Sequence, residues 1–480
     1  MPTHRYIFAA FALATAVACT NTDNINQPTA ASSAETSGAD TSDADAALSR
    51  TTNGALAAEV RTLAAGRGIT PLKSPPPVRA TLVRLGRALA FDKILSGNRD
   101  ISCMTCHLAS LGTGDARSLS IGQGGTGLGL NRVHPDGIFI PRNAPPAFNL
   151  HAMKTLFWDG RVNRDDAGLV HTPIGDKVTP KMTAVFEFGA LSALPLFPVL
   201  NRAEMRAATG NELAAFRDDQ ETETWAALMK RLGAIRQYRV LFEAAYPGQR
   251  FDNMTFAHAS NAIAAFLINK MAFNRSPWDR FLAGDDRALT DLQLAGAKGF
   301  MSARCSICHN GAAFTDNLFH NVAVAQLGPG EGDGADGHDD FGRMRVTGNA
   351  AEQYAFRTTP LRNVELTGPW GHAGQFSSLR AFVDHYSESD TKLRNFDVMQ
   401  LEALLRGTVQ PTTEAILATR DPLLAGMVFP ATAGDAVTAF LTALTDPRAR
   451  EIRGITPRSV PSGLPVDGAE FAAGPTSEDF

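Results

Sequence analysis

The sequence predicts a mainly α-helical fold of two similar units joined by long loops, with few short β-hairpins. Three observations carry this expectation. Apolar residues recur at helical spacing, as in Leu82, Leu85 and Leu89, then Ile263, Phe266 and Leu267, then Val437, Phe440, Leu441 and Leu444. The pentapeptide C-x-x-C-H occurs twice, as Cys103-Met-Thr-Cys106-His107 and Cys305-Ser-Ile-Cys308-His309, each shortly after a predicted helix. Between His107 and about Asn149 the chain is rich in Gly and Asn and reads as loop.

C-x-x-C-H is the attachment signature of a c-type haem. Two thiols add across the two vinyl groups from one face of the porphyrin. The adjacent His then binds the iron as proximal ligand. A zinc site would need two more ligands at short spacing, and neither motif has them in the usual pattern. Each unit therefore reads as a cytochrome c-like domain with one covalently bound haem, although the two are only weakly alike letter by letter.

The chain has 480 residues, 44% of them hydrophobic, enough for two or three domains with a substantial core. A net charge of −4 gives no reason to expect nucleic acid as a partner. Arg5, the apolar run Ile7 to Ala18 and small residues before Cys19 read as an export signal over residues 1–18. The run is too short to span a bilayer permanently. Ala16-Val17-Ala18-Cys19 loosely resembles a bacterial lipobox, with Ala16 where Leu is usual, so a lipidated Cys19 anchoring the chain to a membrane is one expectation. Simple secretion with Cys19 cleaved away is the other. Both place the mature chain in the periplasm. Residues 20–50 are Thr, Asn, Ala, Ser and Asp with almost no large apolar groups, and 19–74 reads as a flexible tether.

Residues 75–276 then form the first haem domain, opened by Pro75-Pro76-Pro77. Ile121-Gly-Gln-Gly-Gly-Thr-Gly127 has no strand before it and no helix start after it, so it reads as a loop packed over the haem rather than a dinucleotide site. Residues 211–270 are mainly helical. The second haem domain covers 277–450 and opens near Thr290-Asp-Leu-Gln293, a capping box. Gly328 to Asp340 lacks the acid order of a calcium loop and reads as solvated surface. A helix ends before Pro447, and 451–480 reads as a peripheral tail.

With these motifs in place, the sequence resembles the bacterial di-haem cytochrome c peroxidase and MauG family over roughly residues 78–447. The anchors are Leu85-Gly-Arg-Ala-Leu-Ala-Phe-Asp92, both haem motifs, Arg142-Asn-Ala-Pro145, Phe157-Trp-Asp-Gly-Arg161, Asn201-Arg-Ala-Glu-Met205, Phe356-Arg-Thr-Thr-Pro-Leu-Arg-Asn363 and Gly371-His-Ala-Gly374. The resemblance implies that the haem on His107 is peroxidatic and the haem on His309 relays electrons from outside. It implies that Trp158 lies between the haems, that Glu204 is the distal carboxylate, and that Asn143, Thr367 and Pro369 hold a calcium ion. It implies hydrogen peroxide as substrate and a small cytochrome or copper protein as donor, or a protein substrate. It also admits a homodimer.

Two positions depart from the peroxidase members. Where those place a His that blocks the N-terminal iron, this chain has Gln123, with His134 in the extra loop as a substitute ligand. An open or water-bound N-terminal haem is expected. Where they place an axial Met for the second haem, this chain has Tyr386, as MauG has; His385 and Met344 are rival ligands. MauG also carries a glutamine ten residues after the Trp, and here that position is Gly168, so the distal pocket is no copy of MauG's. Two functions remain open: a peroxidase reducing peroxide with external electrons, or a MauG-like enzyme that stores high-valent iron and oxidises a partner protein. A non-enzymatic electron carrier is disfavoured by Glu204 and by the missing distal His.

Overall fold

A computed structural model describes residues 41–452 and 454–469, with side chains described from residue 54 onward. The export signal, Cys19 and the first part of the expected tether lie outside those residues. No helix among the described residues is long and apolar enough to cross a membrane.

The helix Ala80–Phe91 forms where predicted, and its Leu82, Leu85 and Leu89 are fully buried. It crosses the long apolar helix Phe256–Met271. The crossing is close because residue 86 is glycine: a Cβ there would collide with the Ala262 carbonyl and with Phe266. In the second half the helix Asp291–Ser302 crosses Ala431–Thr442 in the same way. There a Cβ on Gly296 would collide with the Ala436 carbonyl and with Phe440. In each half a small residue on one helix meets an alanine and, one turn later, a phenylalanine on the other. The two halves thus share this crossing although their sequences are only weakly alike.

One core gathers Leu82 to Met271; a second gathers Trp278 to Leu444. Strands are few and short. Thr155–Leu156, Val162–Arg164 and Val170–His171 form an antiparallel meander, and Phe319–His320 pairs with Phe356–Arg357. Thr290 and Gln293 make the expected capping box, their side chains meeting each other's backbone amides at 3.3 and 3.0 Å.

Three expectations about the connecting segments are corrected. The range 19–74 contains the helix Thr41–Gly66, whose Ala57, Val60 and Ala64 are fully buried, followed by buried Ile69. These residues pack in the second core, with Trp278 and Phe440. Their apolar side chains fall about one helical turn apart, a stripe that the polar composition of residues 20–50 hides. The tail 451–469 is not peripheral either. Ile455 and Val460 are buried in the first core, and Ser462 Oγ donates to Asp92 Oδ1 at 2.6 Å. Both segments thus cross to the half that is distant in sequence. Finally, Gly328 to Asp340 is solvated only at its tip: Asp339 and Asp340 are buried.

Candidate active site with two haem cavities

Each C-x-x-C-H motif folds as one helical turn, Cys103–Cys106 and Cys305–Cys308. The first is capped by Ser102 and Thr105, and His107 N donates to Cys103 O at 3.2 Å. All four cysteines are free thiols, so both pairs are available for thioether bonds. His107 Nδ1 donates to the Thr113 carbonyl at 3.0 Å, and His309 Nδ1 donates to the Phe314 carbonyl at 3.1 Å. A carbonyl only accepts, so these bonds fix the proton on Nδ1 and leave each Nε2 as the coordinating atom. Burial pushes both imidazoles below their ordinary value, toward the neutral form an iron ligand needs.

Each motif borders a cavity. The first is lined by Cys103, Cys106, His107, Trp158 and Glu204, the second by Cys305, Cys308, His309, Trp158 and Tyr386. Trp158 borders both, as the resemblance implied. Its position is fixed at two points. The indole Nε1–H donates to the Asn143 carbonyl at 2.8 Å, and the Trp158 carbonyl accepts from Arg357 N at 2.8 Å. Arg357 also borders both cavities. Its Nη1 is buried without a hydrogen-bond partner, and burial pushes the guanidinium down to about 10. A buried cationic group with an open donor fits a haem carboxylate. The thiol pairs, the free Nε2 atoms and this orphaned donor all suit a haem in each cavity.

The two cavities differ in the side chains that line them beside the motif. In the first, Glu204 sits in a short π-helical turn, Arg202–Arg206, capped by Asn201, whose side chain accepts from the amides of 203 and 204 at 2.8 and 3.0 Å. Such turns are frequent at functional sites. Burial, reinforced by the charge of Glu331, pushes the Glu204 carboxyl up to about 7, against the pull of Arg161 and Arg142. The second cavity's lining includes Tyr386, Phe382, Val383 and Leu379. The rival ligands are placed elsewhere. His385 Nε2 is bound to the Val322 carbonyl at 2.8 Å, and neither His385 nor Met344 borders the cavity. His372, from the Gly371 to Gly374 anchor, does border it, stacked on Phe356 at 3.6 Å and pushed down to about 3 by burial.

Gln123 is not brought to the first cavity. Its Nε2 donates to Asp100, and its Oε1 accepts from Asn98 N at 3.4 Å, so the side chain is turned into the loop beside the cavity wall. The glycine-rich loop does pack over the motif: Cys106 Sγ lies 3.9 Å from the Ile121 carbonyl, and Ser120 lines the cavity. His134 rests against Gly124 and also stays outside the lining. Asn143 borders both cavities, and Thr367 and Pro369 border the second.

Sequence reasoning missed a buried charge cluster beside the first cavity. Arg142 holds Asp340 with two bonds of 2.6 and 2.8 Å and Asp159 at 2.6 Å, while Arg161 reaches Asp159 at 2.9 Å. Burial opposes ionisation of Asp159, yet Arg161 and Arg142 hold its carboxyl well below the usual range. Arg142, Asp159 and Arg161 sat inside family anchors without an assigned role. Asp340 and Glu331 come from the loop that read as solvated, and nothing in its order of acids marks them. A second missed group is His320, on the border of the second cavity. It is clasped by Asp421 at 2.5 Å and Asp316 at 3.0 Å. Burial opposes its protonation, but hydrogen bonds with Asp316, the Cys308 thiol and Asp421 push it up to about 11.

Residues 80–287 match the family model described as di-haem cytochrome c peroxidase. The cytochrome c551 peroxidase of Pseudomonas aeruginosa is 31% identical over 325 residues, which is 66% of this chain and 74% of that protein. The methylamine utilization protein MauG of Methylorubrum extorquens is 28% identical over 320 residues, 66% of this chain and 71% of that protein. Among solved structures, a MauG-like protein associated with microbial copper homeostasis superposes with a TM-score of 0.55 at 24% identity, covering 79% of this chain and 95% of that one. The diheme peroxidase BthA from Burkholderia thailandensis gives 0.54 at 20% identity, covering 83% and 91%. At these identities the two structures speak for the fold.

Proposed function

The chain belongs to the di-haem cytochrome c peroxidase family, and on that footing we propose that this oxidoreductase reduces hydrogen peroxide at the first cavity with electrons from an external donor protein that enter at the second. The carrying observation is the asymmetry around Trp158: the indole borders both cavities, and only the first also presents a carboxyl with a pKa near neutrality. Haem supplies the iron at which the O–O bond is reduced and the ring system that conducts electrons. The protein supplies the rest. His107 and His309 offer Nε2 as proximal ligands. With haem bound, Glu204 would take a proton from peroxide and return it to the departing oxygen as the O–O bond breaks, and two electrons with two protons from solvent complete two waters. Positioned proton transfer of this kind contributes about 10²–10⁴-fold. Trp158, clamped by Asn143 and Arg357, carries electrons across the gap. Asn143, Thr367 and Pro369 are the proposed calcium ligands. The Asn143 amide nitrogen is already engaged with the Arg117 carbonyl at 2.8 Å, which leaves its oxygen for a hard cation. The mature chain is proposed to work in the periplasm.

Tyr386 supports a second reading. A phenol in the lining of the second cavity favours a MauG-like enzyme that stores oxidising equivalents and oxidises a partner protein. Steady-state turnover of peroxide with a reduced small cytochrome separates the two. Brisk turnover supports the peroxidase. Oxidising equivalents that persist on both irons without turnover, read by Mössbauer spectroscopy after one equivalent of peroxide, support the second. No reaction with peroxide overturns both.

A further inference from the structure

Peroxide reduction consumes two protons for each peroxide, and neither the electron donor nor the haem supplies them. They come from water, and Glu204 faces a cavity rather than bulk solvent. One other carboxyl borders the same cavity. Glu331 lines it together with Glu204, Arg142, Arg161 and Arg357, yet it comes from the second half of the chain, in the glycine-rich loop after Gly328. Its side chain is 27% exposed and that of Arg161 24%, against 7% for Arg142, so Glu331 keeps contact with solvent at the edge of the cavity.

The loop holds Glu331 there with a closed clasp. Glu331 N donates to the Asp339 carbonyl at 2.9 Å, Asp339 N donates to the Asp333 carbonyl at 3.0 Å, and Tyr354 OH donates to the Asp339 carboxylate at 3.0 Å. Gly330 has φ +61, and a Cβ there would strike the His338 carbonyl, so the fold of the clasp requires glycine beside Glu331. The Glu331 carboxylate lies 3.5 Å from Arg142 and 3.8 Å from Arg345. Arg142 is already saturated by Asp340 and Asp159, and Arg345 is paired with Asp333. At these distances Glu331 is a loosely held third partner, free to exchange a proton, unlike the tightly clamped Asp159 and Asp340.

We infer that Glu331 is the solvent-side station of a two-carboxyl proton inlet, accepting a proton from water and passing it across the cavity to the Glu204 carboxylate. The inference rests on the peroxidase reading of the first cavity. Glu204 then passes that proton to the oxygen being reduced to water and returns to its carboxylate form, while water reprotonates Glu331. Arg142 and Arg161 face both carboxyls, with Arg345 outside and Asp340 behind, and stabilise whichever one is charged. Burial pushes Glu331 above its ordinary value, opposed by the charges of Arg142, Arg161 and Arg345.

The test uses the haem-loaded protein, with cyanide binding as a readout that needs no turnover. Hydrogen cyanide must lose its proton to a distal base, so the pH midpoint of its binding rate reports the ionisation of Glu204. Glu331→Gln removes a negative neighbour and should move that midpoint down by roughly 0.5–1 pH unit. It should also slow steady-state peroxide turnover, which draws two protons per cycle, by roughly tenfold at neutral pH. Glu331→Asp keeps the charge and should keep the wild-type midpoint, with most of the rate restored. Glu204→Gln should abolish the pH limb. If E331Q and E331D both behave as wild type, or behave alike with a merely lowered melting temperature, while E204Q loses the limb, Glu331 is not the inlet. If E204Q keeps the limb, the distal reading of the first cavity itself fails.

Discussion

The two halves of the molecule share a frame and differ in what lines the cavity beside it. In both, a glycine-bearing helix crosses an alanine-bearing one at contact distance, and a C-x-x-C-H turn follows, with its His tied to a backbone carbonyl. The lining of the first cavity includes Glu204 with Arg142, Arg161 and Arg357; that of the second includes Tyr386 among Phe382, Val383 and Leu379, with His320 and His372. The frame supplies the attachment turn and its His in both halves. The rest of the lining supplies a proton-transferring carboxyl in the first and a phenol in the second.

The sharpest way to break this comparison is Glu204→Gln, which should lower the peroxide reaction by about 10²–10⁴-fold with both haems retained. In the wild type that rate should climb as pH rises through about 7, because the carboxylate is the form that accepts the proton; in E204Q the climb should vanish. The same group has a stability signature. Its folded carboxyl titrates above its unfolded value, so the folded state binds more protons between about pH 4.5 and 7, and stability falls as pH rises through that window. Thermal melts of E204Q should show a smaller fall.

Next in size, Asp340→Ala leaves Arg142 buried with a partner missing and should cost about 3–5 kcal/mol, read by chemical denaturation. Tyr386→Phe in the other half touches no such cluster and should leave stability nearly unchanged. Gly86→Ala and Gly296→Ala test the shared frame. Each inserts a methyl into a backbone contact and should cost about 1–3 kcal/mol, with similar values in the two halves. A large inequality would show that the two crossings are not equivalent. The mildest change is Tyr386→Phe read optically: the second haem's spectrum should shift while the first haem's peroxide reaction persists. An unchanged spectrum would remove Tyr386 from that iron.

Several parts of the candidate site were readable before any coordinates. The thiol and imidazole positions follow from covalent spacing within five residues, and Trp158 and Glu204 were carried by ordered anchors. Gln123 was placed at the distal position by counting along the loop. Its side chain instead turns to Asp100, because a glycine-rich loop leaves side-chain direction to whichever polar partner is near. The Arg142 cluster joins residues separated by as many as 198 positions, and no local pattern announces such a meeting.

The sequence by itself determined the local chemistry: the two attachment turns, the helices that carry them, and the capping box at Thr290, since each depends on groups within a turn or two of one another. The tertiary structure alone decided which half each terminal segment joins, that Glu331 reaches the first cavity from the second half, and that His320 is clasped by Asp316 and Asp421. The physical reason is that burial and charge pairing act between surfaces rather than between neighbours in the chain. A stripe of alanines or a single carboxylate therefore takes its meaning from whatever the fold sets against it.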